Sequence, residues 1–191
     1  MLIDSTFFVG GELNIPNPSG STTNLLQWYI NKYETDCLIK ILGYPLYKAY
    51  LADPSLSTTP IANLVNGVEY TNDWGYDDYW VGLVESKSPG EDAPVVSQPT
   101  SMIANYIYTY YIRGSANQFA GTTTVIATAS GAYNVSPSQK AQSAHTFFCV
   151  RVREMVKFLL SQSQVANYTE FSNYQAAKTL SYARPVNSFD I

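Results

Sequence analysis

Apolar residues recur along this chain at helical spacing in three long stretches. In the first, Leu26, Ile30, Tyr33, Cys37 and Ile41 follow one another at intervals of 4, 3, 4 and 4, which puts them on one helix face. Thr22 or Thr23 suits the N-cap of that helix, and Gly43 is a natural stop. Pro45 then permits a further helical turn carrying Leu46, Tyr47, Tyr50 and Leu51, which Asp53-Pro54 ends. A short helix is expected over 61–65, up to Asn66-Gly67. The second strong helix runs over about 101–113, with Ile103, Tyr106, Ile107 and Tyr110 in helical register and Gly114 as its end. The longest is expected over about 137–160. Ser136 suits its N-cap and Pro137 its first helical position. Ala141, Ala144, Phe148, Val152, Met155 and Leu159 form its apolar stripe at intervals of 3, 4, 4, 3 and 4. Arg151, Arg153 and Lys157 lie in its C-terminal half, where cations favour the helix dipole.

Between these helices the pattern changes. Residues 1–21 read as an arm, a short β-prone run followed by Gly-Gly and by the turn-forming Asn-Pro-Ser-Gly-Ser. Such an apolar arm must dock on its own domain or on a neighbour. Residues 68–83 read as a hairpin, with VEYTN and YWVGL as strands around DWGYDD. Residues 86–100 read as a loop, 119–135 as a small hairpin or mobile loop, and 161–191 as a short helix and a tail. The fold class that follows is mainly α: a small helical bundle over 22–165 with a short β-hairpin insertion, an extended N-terminal arm and a C-terminal tail over 166–191. There are no internal repeats. No apolar run approaches the roughly 18 residues of a membrane span, and the first residues lack a signal-peptide pattern.

Composition sharpens this picture. Only 14% of the 191 residues are charged, against a typical ~25%. Tyrosine occurs 16 times. Its apolar ring and polar tip suit an interface, or else a core with wet edges. A net charge of −4 argues against a phosphate-gripping protein, which needs a basic stripe. The charge is uneven: residues 1–92 carry −8 and residues 93–191 carry +4. One subunit's acidic face can thereby meet a neighbour's basic face. Cys37 and Cys149 both fall in apolar helical patterns and read as buried free thiols in a reducing, intracellular setting.

Candidate chemistry is sparse. The single histidine, His145, has no nucleophile or orienting partner evident beside it and reads as a polar-face position on the long helix. Glu69, Asp73, Asp77 and Asp78 crowd the hairpin. With Glu85, Glu91 and Asp92 they make seven acids against the single base Lys87. Such oxygens can hold Ca²⁺, but their spacing is not that of a Ca²⁺-binding helix–loop–helix, and a solvated acidic loop is the simpler reading. Trp28, Trp74 and Trp80 with the tyrosines can be arranged as a sugar-stacking platform. Trp28 alone reads as core and Trp74, beside Gly75, as exposed. Phosphate-binding, hydrolase and metalloprotease motifs are missing. The expectation is a non-enzymatic protein with no cofactor, no metal and no catalytic residue.

Four stretches resemble a family of structural proteins of tailed phages and prophages of Bacteroides-type hosts, including the crAss-like phages. YETDCLIKILGYPLYKAYLAD, residues 33–53, is similar to that family's "LLG-x-x-LY" segment. YWVGL, residues 79–83, is similar to its Trp-x-Gly-Leu element after a small hairpin. SMIANYIYTYYIRG, residues 101–114, is similar to its "S-P-I-A-N-Y-I-Y-Y-x-Y" helix, although Met102 stands where the family has Pro. YNVSPSQKAQSAHTFF, residues 133–148, is similar to its "V-S-P-x-x-K" approach to the last helix. The four occur in the family's order, and the tail past 165 departs from it. The resemblance implies a head–tail connector: a small helical subunit of a neck ring, typically of twelve copies, in the virion beneath the portal protein. Such a ring touches neighbouring neck and tail proteins and lets packaged DNA pass without sequence-specific binding. Another neck component such as a tail terminator, or an aromatic-rich carbohydrate- or surface-binding module, is the alternative.

Overall fold

The computed structural model describes residues 1–9, 12–15, 20–85, 100–119 and 137–184; of 20–23, 115–119 and 137 only the backbone is described. Five helices, α1 (Gly20–Ala52), α2 (Thr59–Asn66), α3 (Met102–Phe119), α4 (Pro137–Leu160) and α5 (Asn173–Tyr182), carry the fold. Two small antiparallel pairs interrupt them: β1 (Val68–Thr71) with β2 (Asp77–Trp80), and β3 (Val84–Glu85) with β4 (Thr100–Ser101). Helix α3 lies against both α1 and α4, and α5 closes over α1 and α4. The architecture is the expected small helical bundle with a β-hairpin insertion. Of the expected loops at 86–100 and 119–135, residues 86–99 and 120–135, with the Ser136 cap, lie outside the described residues, while Thr100 belongs to β4 and Phe119 to α3.

The stripes read from the sequence are the core. On α4, Ala141, Ala144, Phe148, Val152, Met155 and Leu159 are all buried. On α1, Leu26, Ile30, Cys37 and Ile41 are buried, and Tyr29, Leu38 and Leu42 widen the stripe. The Gly43 break also holds. Its φ of 73° interrupts α1, and α5 fits into the interruption: Thr179 Oγ1 donates to the Ile41 carbonyl at 2.9 Å and Gln175 Nε2 to that of Lys40 at 3.4 Å. Carbonyls that lose their partners at a helix end are thus satisfied by side chains.

Several boundaries differ from expectation. Helix α1 starts at Gly20, so Thr22 and Thr23 sit in its first turn. Helix α3 does not stop at Gly114 but continues to Phe119. Gly114 serves close approach instead of termination: a Cβ there would stand 1.7 Å from the Tyr29 hydroxyl. Asp77 and Asp78 belong to strand β2 and not to the turn. Both terminal segments also pack back onto the body. Ile3, Phe8, Leu13 and Ile15 are buried, and buried Glu34 accepts the amides of Leu2 at 2.9 Å and Ile3 at 3.1 Å. Past residue 165, Tyr168, Phe171, Ala176 and Thr179 are buried too. Their short apolar intervals were too interrupted to read as core in the sequence, and part of the covering surface comes from elements more than a hundred residues away, as with the Tyr168 hydroxyl donating to the Pro60 carbonyl at 2.6 Å.

The Gly114 contact gives a test. Alanine in place of glycine inside a helix normally gains about 1 kcal/mol. Here the methyl group must displace a Tyr29 ring held by Tyr33 and Tyr111, and forced overpacking costs roughly 1–3 kcal/mol. Gly114→Ala is therefore expected to destabilise the protein, and much less so in the Tyr29→Phe background. Equal urea midpoints shifts in both backgrounds would show that the two residues do not meet.

Asp53, which ends α1, builds the turn into α2. Its carboxylate accepts the Ser57 and Thr58 amides at 2.9 and 2.7 Å and the hydroxyls of the same residues at 2.7 and 2.6 Å. Hydrogen bonds from the Thr58 side chain first, then from Ser57 and the two amides, hold its pKa well below the ordinary carboxylate value. A depressed folded-state pKa means that the unfolded chain takes up the proton first. Its contribution is therefore complete above about pH 4, the ordinary value, and is lost as pH falls below that. Asp53→Asn should lower the urea midpoint at pH 7 and flatten its decline between about pH 4 and pH 2.5. An unchanged decline would assign acid sensitivity to other groups.

Candidate functional site

Two groups stand out among the described tyrosines. Tyr29, Tyr33, Tyr106, Tyr110 and Tyr111 form the seam between α1 and α3, with Tyr33 stacked on Tyr110 at 4.3 Å between centroids and on Tyr29 at 5.6 Å. At its edge the Tyr106 hydroxyl donates to Asp36 at 2.6 Å, and Lys40 donates to Asp36 at 2.7 Å and to Tyr106 at 2.9 Å. Burial, then the bond to Asp36, holds the Tyr106 phenol far above its ordinary pKa, so it stays a donor. This population is structural. The other population, Tyr44, Tyr76, Tyr174 and Tyr182, is 40–79% exposed.

The hairpin carries the largest exposed aromatic group, Trp74, at 85% exposure, with Tyr76 beside it at 72%. Its tip is built by Asn72, whose side chain accepts the amides of Trp74 at 3.0 Å and Tyr76 at 3.2 Å, and by Gly75 at φ 80°. Asn and Gly tolerate this turn conformation, and the local bonds hold the indole outward. In register, Glu69 opposes Tyr79 and Thr71 opposes Asp77, so Glu69 and Asp77 share the solvent face. Tyr70, Asp78 and Trp80 point the other way. Asp78 accepts the Tyr70 hydroxyl at 3.3 Å, and burial followed by that neighbouring charge pushes the Tyr70 pKa up to about 12. Asp73 accepts the Gln162 amide at 2.9 Å and Ser163 donates to the Thr71 carbonyl at 2.7 Å, which ties the hairpin to the chain just past α4. A groove of about 410 Å³ runs between Trp74, Tyr70, Asp73 and Asp78 on one side and Lys157 and Leu160 on the other.

The sequence-derived candidates fare unequally. Trp74 is exposed as expected. Trp80 is not a platform residue: it is 1% exposed, stacks on Phe158 at 5.7 Å and donates its indole N–H to the Leu64 carbonyl at 2.9 Å. Trp28, expected in the core, is 51% exposed with the Lys32 ammonium 4.6 Å from its ring. The three indoles therefore make no common surface. Among the described residues no three His, Cys, Asp or Glu side chains converge as metal ligands. Glu85 leaves the acidic group altogether, paired with Arg151 at 2.7 Å. Glu91, Asp92 and Lys87 lie outside the described residues.

His145 has a neighbour the sequence reading missed, although the signal, a four-residue interval on one helix, was there. Its Nε2 lies 3.5 Å from Cys149 Sγ and 3.0 Å from the Arg184 carbonyl, and the Cys149 thiol lies 3.6 Å from that same carbonyl. Burial raises the pKa of Cys149, and that of buried Cys37 still more. Thiols so raised are poor nucleophiles at neutral pH, and the His145–Cys149 pair serves to hold the end of α5 on α4. No helix is long and apolar enough to cross a membrane among the described residues.

A second signal passed over was the acid-free run 171–184. On α5, Tyr174, Lys178 and Tyr182 recur every four residues on one exposed face, while Ala176 and Thr179 are buried beneath. Compared with known proteins, the chain matches no family model, no curated protein and no solved structure.

Proposed function

We propose that this chain is a structural subunit of a virion, a connector or adaptor ring at the head–tail junction of a tailed bacteriophage. The observation that carries the proposal is the presence of two separate exposed aromatic surfaces on one small helical body. One is the hairpin tip with Trp74 and Tyr76, and the other the α5 face with Tyr174 and Tyr182. A ring built head to tail needs two different adhesive patches per copy, and surface aromatics are typical anchors of such contacts. The resemblance read from the four sequence stretches supplies the rest: a ring of about twelve copies, the portal protein and neighbouring neck or tail proteins as partners, and DNA passing through without specific contacts. The acidic region 69–92 does not grip phosphate, which suits a ring through which DNA slides.

A carbohydrate-binding module is the second reading, favoured by the groove in which Trp74 stands beside Asp73 and Asp78. The measurement that separates them is native mass over a concentration series, alone and with portal protein, with negative-stain images. Closed rings of about a dozen copies support the connector. A strict monomer under all these conditions, together with a glycan-dependent change in Trp74 fluorescence, overturns it in favour of the module.

A further inference from the structure

We infer that the hairpin tip of one copy docks on the Tyr174–Lys178–Tyr182 stripe of α5 in a second copy. The inference rests on the ring reading and specifies the junction it requires.

The two patches match in chemistry. The hairpin presents Trp74 and Tyr76 with Glu69 and Asp77 on its solvent face, and all four are exposed. The α5 stripe presents two tyrosines around Lys178, with exposed Arg184 beyond its end. Lys178 and Arg184 are the only charged residues in 171–184. An acidic aromatic tip meeting a basic aromatic stripe combines electrostatic steering with ring and cation–π contacts. Lys157 of the same chain lines the groove with Asp73 and Asp78, and among the described residues the outward Glu69 and Asp77 form no ion pair.

The patches are also separate on one chain. The hairpin is fixed to Gln162 and Ser163, past the C-terminal end of α4. The end of α5 is fixed at His145, Cys149 and Arg153, roughly 10–22 Å back along α4 from its C-terminal end at 1.5 Å per residue. A contact between two unlike patches is heterologous, so each copy keeps one patch free for the next and the series ends only by closing.

Both patches can be altered without touching the core. Glu69→Lys with Asp77→Lys reverses the tip, and Lys178→Glu reverses the stripe. In native mass spectrometry with far-ultraviolet circular dichroism as the folding control, each altered full-length chain is expected to stay monomeric where the unaltered chain assembles. An equimolar mixture of the two is expected to assemble with the copies alternating, since the basic tip of one meets the acidic stripe of the other and the unaltered acidic tip of the second meets the unaltered basic stripe of the first. A chain carrying all three changes is expected to assemble again. Unimpaired assembly of the singly reversed chains, or no recovery in the triple variant, overturns this junction while leaving the ring reading intact. Failure of the unaltered chain to assemble, alone or with portal protein, overturns both.

Discussion

Trp80→Ala will lower the stability of this protein by about 4 kcal/mol, in the range measured for truncating a fully buried aromatic residue. Trp80 is 1% exposed and stands where the hairpin meets α4, parallel to Phe158 at an interplanar angle of 12°, with Tyr70 and Tyr168 edge-on to the same phenyl ring. Removing the indole leaves a void lined by rings that are themselves fixed, so collapse around it is limited and the cavity cost stays high. The Leu64 carbonyl loses the indole N–H but keeps the Leu83 amide at 3.1 Å, so no buried acceptor is orphaned and the loss is one of packing. For a chain of this size that amounts to a fall in Tm of roughly 8–16 °C. Trp28→Ala is the comparison: at 51% exposure, with Tyr29 edge-on and Lys32 over its ring, it should cost about 1–2 kcal/mol, at most half as much. Equal Tm shifts for the two variants would refute the assignment of Trp80 to the core.

Gly82→Ala will be nearly as damaging, for a reason in the backbone. At φ 96° an L residue is strained, at about 1–2 kcal/mol. A Cβ at 82 would also stand 2.5 Å from the Val65 carbonyl oxygen and 2.8 Å from the Gly67 amide. Gly67 returns the relation, since a Cβ there would meet the Trp80 carbonyl oxygen at 2.5 Å. Two backbone segments cross glycine on glycine, and neither can yield as a flexible side chain does. Overpacking adds a further 1–3 kcal/mol, for a loss of about 3 kcal/mol or more. Gly75→Ala isolates the conformational part, because its φ is 80° and nothing lies within 4 Å of the added carbon. The expected order of denaturant midpoints is unaltered chain, then Gly75→Ala, then Gly82→Ala. Equal losses at 75 and 82 would leave the close approach without energetic weight.

What the sequence told and withheld follows from range. The α4 stripe, the Gly43 break and the Asp53-Pro54 stop were legible because each is decided within one or two turns of chain. Trp74 and Trp80 lie six residues apart in one hairpin and were grouped as one surface, yet their neighbours distinguish them. Asp73 and Gly75 flank the first, while Tyr79 and Val81 flank the second and continue an apolar run into Leu83. Gly114 misled because a glycine that ends a helix and one that admits a neighbouring ring look alike until the partner, Tyr29, is placed. The burial of Tyr168, Phe171 and Thr179 depends on α1, α2 and α4 and has no local signature. Of the candidate site, the acidity of the hairpin was plain, whereas the α5 stripe was hidden in a segment read only as a short helix and a tail.

The fit of α5 into the Gly43 break also orders events during synthesis. Chains emerge N-terminus first and fold as their parts become available. The carbonyls of Lys40 and Ile41 wait for Gln175 and Thr179, some 135–139 residues later. Most of the bundle can gather before then, but its break stays open to water until α5 arrives. That helix also bears the Tyr174–Lys178–Tyr182 stripe. On the proposed junction, a chain still being made displays the hairpin tip but not its complement, and two growing chains on one message cannot yet join through it. Closure of the Gly43 break and competence for that proposed contact are reached in the same step.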